Sequence, residues 1–145
     1  MELIEKSSVN SAGGKVKKYK ILIAEDNKLN LKLIETLLEK NNYSVISAIN
    51  GEDAIQAYFS ESPDLIIMDV EMPVLNGYET VKRIRESERN NDYRIPVIAL
   101  TGHFFKEDIE RIFECGMDDY VPKPVNFDIF LAKIKNYLTV KNNIS

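Results

Sequence analysis

The 145-residue chain has no tryptophan, one cysteine and one histidine. A lone cysteine, Cys115, excludes an internal disulfide, and with a lone histidine it also excludes Cys₄ and Cys₂His₂ zinc sites. Cysteine this scarce suits a reducing compartment, so the expected location is the cytoplasm. Six glycines and five prolines are too few for a collagen-like or low-complexity chain. No apolar run approaches the roughly 20 residues of a membrane span, and the N-terminus lacks the charged-then-apolar pattern of a secretory leader, so no membrane contact is expected. Positive charge is also short. Nineteen Lys and Arg against 23 Asp and Glu leave a net charge of −4. A domain that grips nucleic acid through its phosphates is expected to be basic, so no nucleic-acid partner is expected either. What is there is ordinary globular composition, 44% hydrophobic and 29% charged, in a length that suits one domain.

Residues 1–18 stand apart. Ser7, Ser8, Ser11, Gly13 and Gly14 precede Lys15, Lys17 and Lys18, a composition that buries little and reads as a flexible tail or linker. Residues 139–145 read as a frayed C-terminal tail. Between them, over 19–138, short apolar runs alternate with amphipathic segments. Ile21 to Ala24, Tyr43 to Ile49, Leu65 to Met68, Ile95 to Leu100 and Asp119 to Val121 read as five strands. Runs without polar alternation fit strands covered on both faces. Asn27 can cap a helix that buries Leu31, Ile34, Leu37 and Leu38. Ala54, Ile55, Tyr58 and Phe59 give a second helix face, Val81 and Ile84 a third. A fourth helix over 106–115 stops at Gly116. Asn126 can cap a fifth, carrying Phe127, Phe130, Leu131, Ile134 and Leu138. Five β-α units predict an α/β fold, a doubly wound parallel sheet in a three-layer sandwich with right-handed crossovers.

The ionisable residues follow the strand ends. Glu25 and Asp26 come after the first strand, Asp69 after the third, Thr101 after the fourth and Lys123 after the fifth. In an open parallel sheet these ends share one edge, where ligands bind. The edge therefore collects up to three carboxylates, a hydroxyl and an ammonium. Two like charges about 4 Å apart repel by roughly 4 kcal/mol at an effective dielectric of about 20, which favours a bound cation or a raised pKa. Mg²⁺ suits a few carboxylates completed by water and phosphate oxygens. With its charge in place an aspartate can serve as nucleophile toward phosphorus and form an acyl phosphate. Lys123 and Thr101 can then hold the phosphoryl oxygens.

The segments Ile21-Leu-Ile-Ala-Glu-Asp-Asn27, Met68-Asp-Val-Glu-Met-Pro73 with Gly77, Ala99-Leu-Thr101 and Tyr120-Val-Pro-Lys-Pro124 resemble, in order and spacing over about residues 19–138, the response-regulator receiver domain of two-component signalling. The resemblance implies a flavodoxin-like sheet of order 2-1-3-4-5 and a place in a histidine-to-aspartate phosphorelay. It implies Asp69 as phosphoacceptor, Glu25 and Asp26 as the acidic pair holding Mg²⁺ with Asp69, and Glu71 as a metal ligand through its backbone carbonyl. Thr101 is implied as the switch hydroxyl, Lys123 as the phosphate-binding lysine and Tyr120 as the switch aromatic. The readout face would be helix four, strand five and helix five. The implied partner is a histidine kinase or histidine phosphotransfer domain, with a homodimer on phosphorylation as a further outcome. Glu71 and His103 hold positions that tune self-dephosphorylation in relatives. Glu25 departs from the more frequent Asp, and Gly102 from the frequent Ala.

Each residue also has a plainer role when taken alone. Asp26 and Asp69 are then exposed loop carboxylates, Lys123 a solvated lysine, Thr101 a helix cap, Tyr120 an edge-strand core residue, His103 an exposed loop histidine and Cys115 packing. Two other function classes share the sheet. An aspartyl phosphatase typically wants a second Asp two residues after its nucleophile, where this chain has Glu71. A flavin carrier needs a hydroxyl- and glycine-rich phosphate loop after the first strand, where Glu25-Asp26-Asn27 repel phosphate. About seven residues follow the last helix, so no DNA-binding output module is expected. The motifs look most like the C-terminal receiver of a hybrid sensor histidine kinase, with a stand-alone single-domain regulator as the alternative.

Overall fold

The computed structural model describes residues 18–144, with side chains to 139. All of the tail expected over 1–18 except Lys18 lies outside the described residues. The order of elements is β1 (Lys20–Ala24), α1 (Lys28–Lys40), β2 (Ser44–Ala48), α2 (Gly51–Glu61), β3 (Leu65–Asp69), α3 (Gly77–Glu88), β4 (Val97–Thr101), α4 (Lys106–Glu114), β5 (Asp119–Pro122) and α5 (Phe127–Ile144). The strands form one parallel sheet in the order β2-β1-β3-β4-β5. Strict alternation of strand and helix yields this fold because a parallel pair needs a crossover long enough to hold a helix.

The strand residues sort by parity into two cores. Leu22, Ala24, Ile66, Met68, Val97 and Ala99 pack with Ala54, Val81, Ile84 and Ile112 from α2, α3 and α4. Ile21, Ile23, Leu65, Ile67, Ile98 and Leu100 pack with Leu31, Ile34, Leu38, Phe130, Ile134 and Leu138 from α1 and α5. A period-two residue points alternately to the two faces, so strands covered on both must be apolar throughout. Asn27 and Asn126 cap α1 and α5 as expected, accepting from the N–H groups of Asn30 and Ile129 at 2.9 and 3.0 Å. Gly116 ends α4 at a φ of 109°, where a Cβ is strained.

Three expectations are corrected. The fourth strand begins at Val97 rather than Ile95, because Pro96 has no N–H and that of Ile95 goes to the Glu88 carboxylate at 2.8 Å. Phe59 faces solvent, 61% exposed, in a T-shaped contact with the Tyr58 ring. The last helix does not end at 138 with its apolar stripe but runs to Ile144. Propagation adds a backbone hydrogen bond per residue without needing a new buried contact, so the segment read as a frayed tail over 139–145 is helical through 144.

Candidate functional site

The C-terminal edge of the sheet gathers the residues that the spacing placed there. Glu25 and Asp26 leave β1, Asp69 closes β3, and one carboxylate oxygen from each lies within 4.8 Å of the others. Lys123, just past β5, brings its Nζ to 3.1 Å from Asp69 Oδ1 and 3.5 Å from Glu25 Oε1. The Lys123–Pro124 peptide is cis. Backbone N–H groups complete the frame. That of Glu71 donates to Asp69 Oδ1 at 3.1 Å and that of Asn27 to Glu25 Oε2 at 3.1 Å. Gly77 sets the floor, since a Cβ there would lie 2.4 Å from the Asp69 carbonyl oxygen. Only a residue without a side chain lets α3 approach the end of β3 this closely.

Glu25 and Asp69 are 1% and 2% exposed, while Asp26 is exposed. Burial, and then the hydrogen-bonding and charged Asp69 carboxyl beside it, push the Glu25 pKa up to about 7; the Asn27 N–H and Lys123 only partly counter this. Glu25 Oε1 is buried without a hydrogen-bond partner. A buried carboxylate oxygen left this way is costly. The donor set is all oxygen and carries more negative charge than one ammonium offsets, which is the chemistry of a hard divalent cation. The residues present therefore fit Mg²⁺. Burial works against the charged form of Lys123, but the two carboxylates outweigh it and raise its pKa.

The other expected residues make contacts of their own. Thr101 is fully buried and closes β4, opposite Pro122, as Asp69 closes β3; both belong to their strands rather than following them. Its Oγ1 accepts from the His103 N–H and donates to the His103 carbonyl, both at 3.0 Å. Glu71 lends its backbone to the site while its side chain turns outward to His103, Oε2 to Nε2 2.6 Å. Both side chains are more than half exposed. This bridge between the loops after β3 and β4 was not legible as a contact, although each residue stands two places beyond a site residue. Tyr120 sits on the flank, half-buried and edge-on to Phe113.

A 2-1-3-4-5 parallel sheet with an acid cluster and a lysine at its C-terminal edge defines a receiver, and residues 21–135 match the response regulator receiver domain family. The chain belongs to that family and is a receiver domain of a two-component phosphorelay. It is 38% identical over 139 residues to hybrid signal transduction histidine kinase I of Dictyostelium discoideum, covering 90% of this chain but 8% of that protein. It is also 38% identical over 118 residues to the polar-differentiation response regulator DivK of Brucella anthropi, covering 81% of this chain and 94% of that one. Among solved structures it resembles the receiver domain of sensor histidine kinase PA1611 from Pseudomonas aeruginosa PAO1, at a TM-score of 0.77 and 32% identity, over 85% of this chain and 99% of that one. That structure has a magnesium ion coordinated in its active-site cleft. It also resembles the receiver domain of Saccharomyces cerevisiae Ssk1, solved with the histidine phosphotransfer protein Ypd1, at a TM-score of 0.81 and 31% identity, over 86% of this chain and 91% of that one. Among the described residues no helix is long and apolar enough to cross a membrane.

Proposed function

We propose that Asp69 is the phosphoacceptor of this receiver, taking a phosphoryl group from a phosphohistidine on a partner protein. The observation that carries the reading is the pairing of Asp69 Oδ1 with both the Lys123 ammonium and the Glu71 N–H beside the Glu25–Asp26 acid pair. A carboxylate oxygen of Asp69 attacks phosphorus, the phosphorus–nitrogen bond breaks as the phosphorus–oxygen bond forms, and the imidazole leaves and takes a proton. Glu25, Asp26, Asp69 and the Glu71 carbonyl would hold Mg²⁺, which when bound neutralises the charge that otherwise keeps a carboxylate and a phosphoryl group apart. Lys123 meets the transferred oxygens as a point charge.

Phosphorylation adds about −1.5 to −2 charge. Thr101 then exchanges its hydrogen bond to the His103 carbonyl for one to a phosphoryl oxygen. That contact exists only in the phosphorylated state, and a differential contact is what moves a population. The loop after β4 is released in the same exchange, and Tyr120 transmits it to α4, β5 and α5.

A groove of about 400 Å³ beside Glu25 and Lys123 is lined by Leu33, Ile34, Pro124, Val125 and Phe127. Leu29, Leu33 and Phe127 stand 80%, 51% and 38% exposed along the same side. Such an apolar shoulder suits the helix face of a histidine phosphotransfer domain, and the Ssk1 receiver crystallised with such a partner supports that identity. Net charge −4 argues against nucleic acid, and the unpaired, buried Cys115 agrees with the cytoplasm. We further infer a hybrid kinase receiver, because similarity to the Dictyostelium kinase covers more of this chain than similarity to DivK. The 94% coverage of DivK favours the second reading, a stand-alone regulator. An ATPase-like kinase core upstream in the same reading frame decides for the first, and an upstream frame that encodes none favours the second.

Incubation with acetyl phosphate and Mg²⁺ tests the central reading. One acid-stable, hydroxylamine-labile phosphoryl group per chain is expected, lost in Asp69→Asn and on chelation with EDTA. Labelling that survives Asp69→Asn overturns it.

A further inference from the structure

Ring contacts hold Tyr120 where it is. Phe113 of α4 meets the ring edge-on, centroids 6.4 Å apart with 79° between the planes. Lys133 of α5 places its Nζ 5.6 Å from the ring centroid. The same ammonium donates to Asp119 Oδ1 at 2.8 Å and to the backbone carbonyl of Tyr120 at 3.2 Å. Lys133 is 31% exposed, so its charge is partly desolvated and its attraction for the ring face is not fully screened. Asp119, anchored in turn by the Tyr137 hydroxyl at 3.2 Å, fixes the ammonium at the start of β5. The ring thus touches both α4 and α5, and a turn away from this place loses both contacts.

We propose that Lys133 is a positioning residue for Tyr120: its ammonium, aimed at the ring and tied to the Tyr120 carbonyl, sets how readily the ring leaves this place when Asp69 is phosphorylated. The inference rests on reading Tyr120 as the aromatic that responds to Asp69. It adds that the resting position is held from α5 by a cation, so the sensitivity of the switch is set on the readout face as well as at the acid pocket. Because the two ends of the switch share one equilibrium, loosening the ring eases phosphorylation itself.

The experiment uses the chain with 3-fluorotyrosine incorporated, the Tyr120 fluorine resonance assigned by Tyr120→Phe. Spectra with and without acetyl phosphate and Mg²⁺, and the phosphorylation rate from acetyl phosphate, are compared for wild type, Lys133→Met, Lys133→Arg and Asp119→Asn. In wild type the resonance moves on phosphorylation. Lys133→Met keeps the length of the side chain without its charge; its unphosphorylated resonance is expected to lie partway toward the phosphorylated position, with phosphorylation about two- to fivefold faster. Lys133→Arg keeps a cation over the ring and stays near wild type, and Asp119→Asn, which removes the ion pair but not the cation, falls closer to wild type than to Lys133→Met. A wild-type resonance that does not move overturns the reading of Tyr120 and takes the role of Lys133 with it. A resonance that moves in wild type but is unaltered by Lys133→Met overturns the role of Lys133 alone. So does Lys133→Arg behaving as Lys133→Met, since the effect would then not belong to the cation on the ring.

Discussion

The two ends of the sheet treat acidic side chains in opposite ways. At the N-terminal edge, Arg85 donates to Glu88 Oε1 at 2.7 Å, to Asp118 Oδ2 at 3.0 Å and to the Gly116 carbonyl at 2.9 Å. Arg94 closes on Asp118 Oδ1 and the Gly116 carbonyl. The remaining lone pairs take the N–H groups of Ile95 and Val97, both at 2.8 Å, and the Tyr58 hydroxyl. Two carboxylates there meet two guanidiniums, and the cluster is complete. At the C-terminal edge three carboxylates gather, one ammonium meets two of them, and Glu25 Oε1 has no hydrogen-bond partner. The completed cluster pins α3, β4 and the α4–β5 turn together. The incomplete one stays short of positive charge, which is what the proposed cation site requires. The same residue types build a fastener when their partners are supplied by the chain and a site when they are not.

Removing one cation from each end gives the largest expected contrast. Arg85→Met leaves the buried Glu88 carboxylate without its guanidinium while Arg94 still holds Asp118, and is expected to destabilise the fold by about 3 kcal/mol, read as a lowered urea midpoint. Lys123→Met removes the ammonium that meets Asp69 and Glu25, yet it is expected to cost under about 1 kcal/mol, because Glu25 can hold a proton instead. Its damage falls on phosphoryl handling: the label on Asp69 persists but no longer moves Tyr120. Equal losses of stability in the two variants would break the distinction between a fastener and a site.

The pH dependence sharpens it. Glu25 has a folded pKa of about 7 against an ordinary value of 4.5. Between these values the folded chain keeps a proton that the unfolded chain has released. Stability at Glu25 therefore falls as pH rises from about 4.5 to 7, by about 3 kcal/mol over the window. Glu25→Gln lacks this slope. The stability of Glu25→Gln minus that of wild type is expected to grow across the window and level off above pH 7. Saturating Mg²⁺ flattens the wild-type decline, because a bound cation replaces the proton. A difference that stays level from pH 4.5 to 8 would show that Glu25 is not strained at this edge. At intermediate size, Gly77→Ala drives a Cβ to 2.4 Å from the Asp69 carbonyl. It is expected to lose about 1–3 kcal/mol and to slow phosphorylation as well, which a glycine needed only for packing elsewhere would not.

How much of this is legible in the sequence differs between the two ends for a physical reason. The site is legible because its residues follow apolar runs directly, and a parallel sheet must bring such positions to one edge; Glu25, Asp69, Thr101 and Lys123 all lie there. Asp69 and Thr101 show the limit of the rule: each is the last residue of its strand rather than the first beyond it, since pairing depends on backbone hydrogen bonds that polarity does not report. The clamp is illegible, because Arg85 reaches Gly116 and Asp118 across 31 and 33 residues with no periodicity or turn signal to mark the pairing. The cores were readable from Leu22, Ile23, Ile66 and Ile67, apolar toward both faces. The strand order came through resemblance, since alternation alone permits more than one. The run of α5 past Leu138 escaped because its helix continues on backbone hydrogen bonds after the apolar stripe stops.

Backbone conformation extends the contrast and yields the smallest effect. Positive φ occurs among the described residues at Asn42, Ser62 and Gly116, each following a helix, and at Val74. The first three are ordinary helix endings at the N-terminal edge of the sheet. Val74 is β-branched, has a φ of 70°, and sits in the loop between Asp69 and α3, where the Leu75 N–H donates to the Pro73 carbonyl at 2.7 Å. A left-handed valine is strained, and at 79% exposed it gains little from burial in return. Strain of this kind gathers beside functional groups, where surrounding structure holds it. Val74→Gly relieves the strain but adds chain entropy to the unfolded state, so the net gain in stability is expected to be small, about 0.5 kcal/mol. If the strain serves only the turn, phosphorylation of Asp69 is unchanged. If it holds the Glu71 N–H on Asp69, the relaxed loop lets that hydrogen bond lengthen, and phosphorylation slows while the urea midpoint rises. Opposite movement of rate and stability in this one variant identifies the loop as part of the site; parallel movement assigns it to the scaffold.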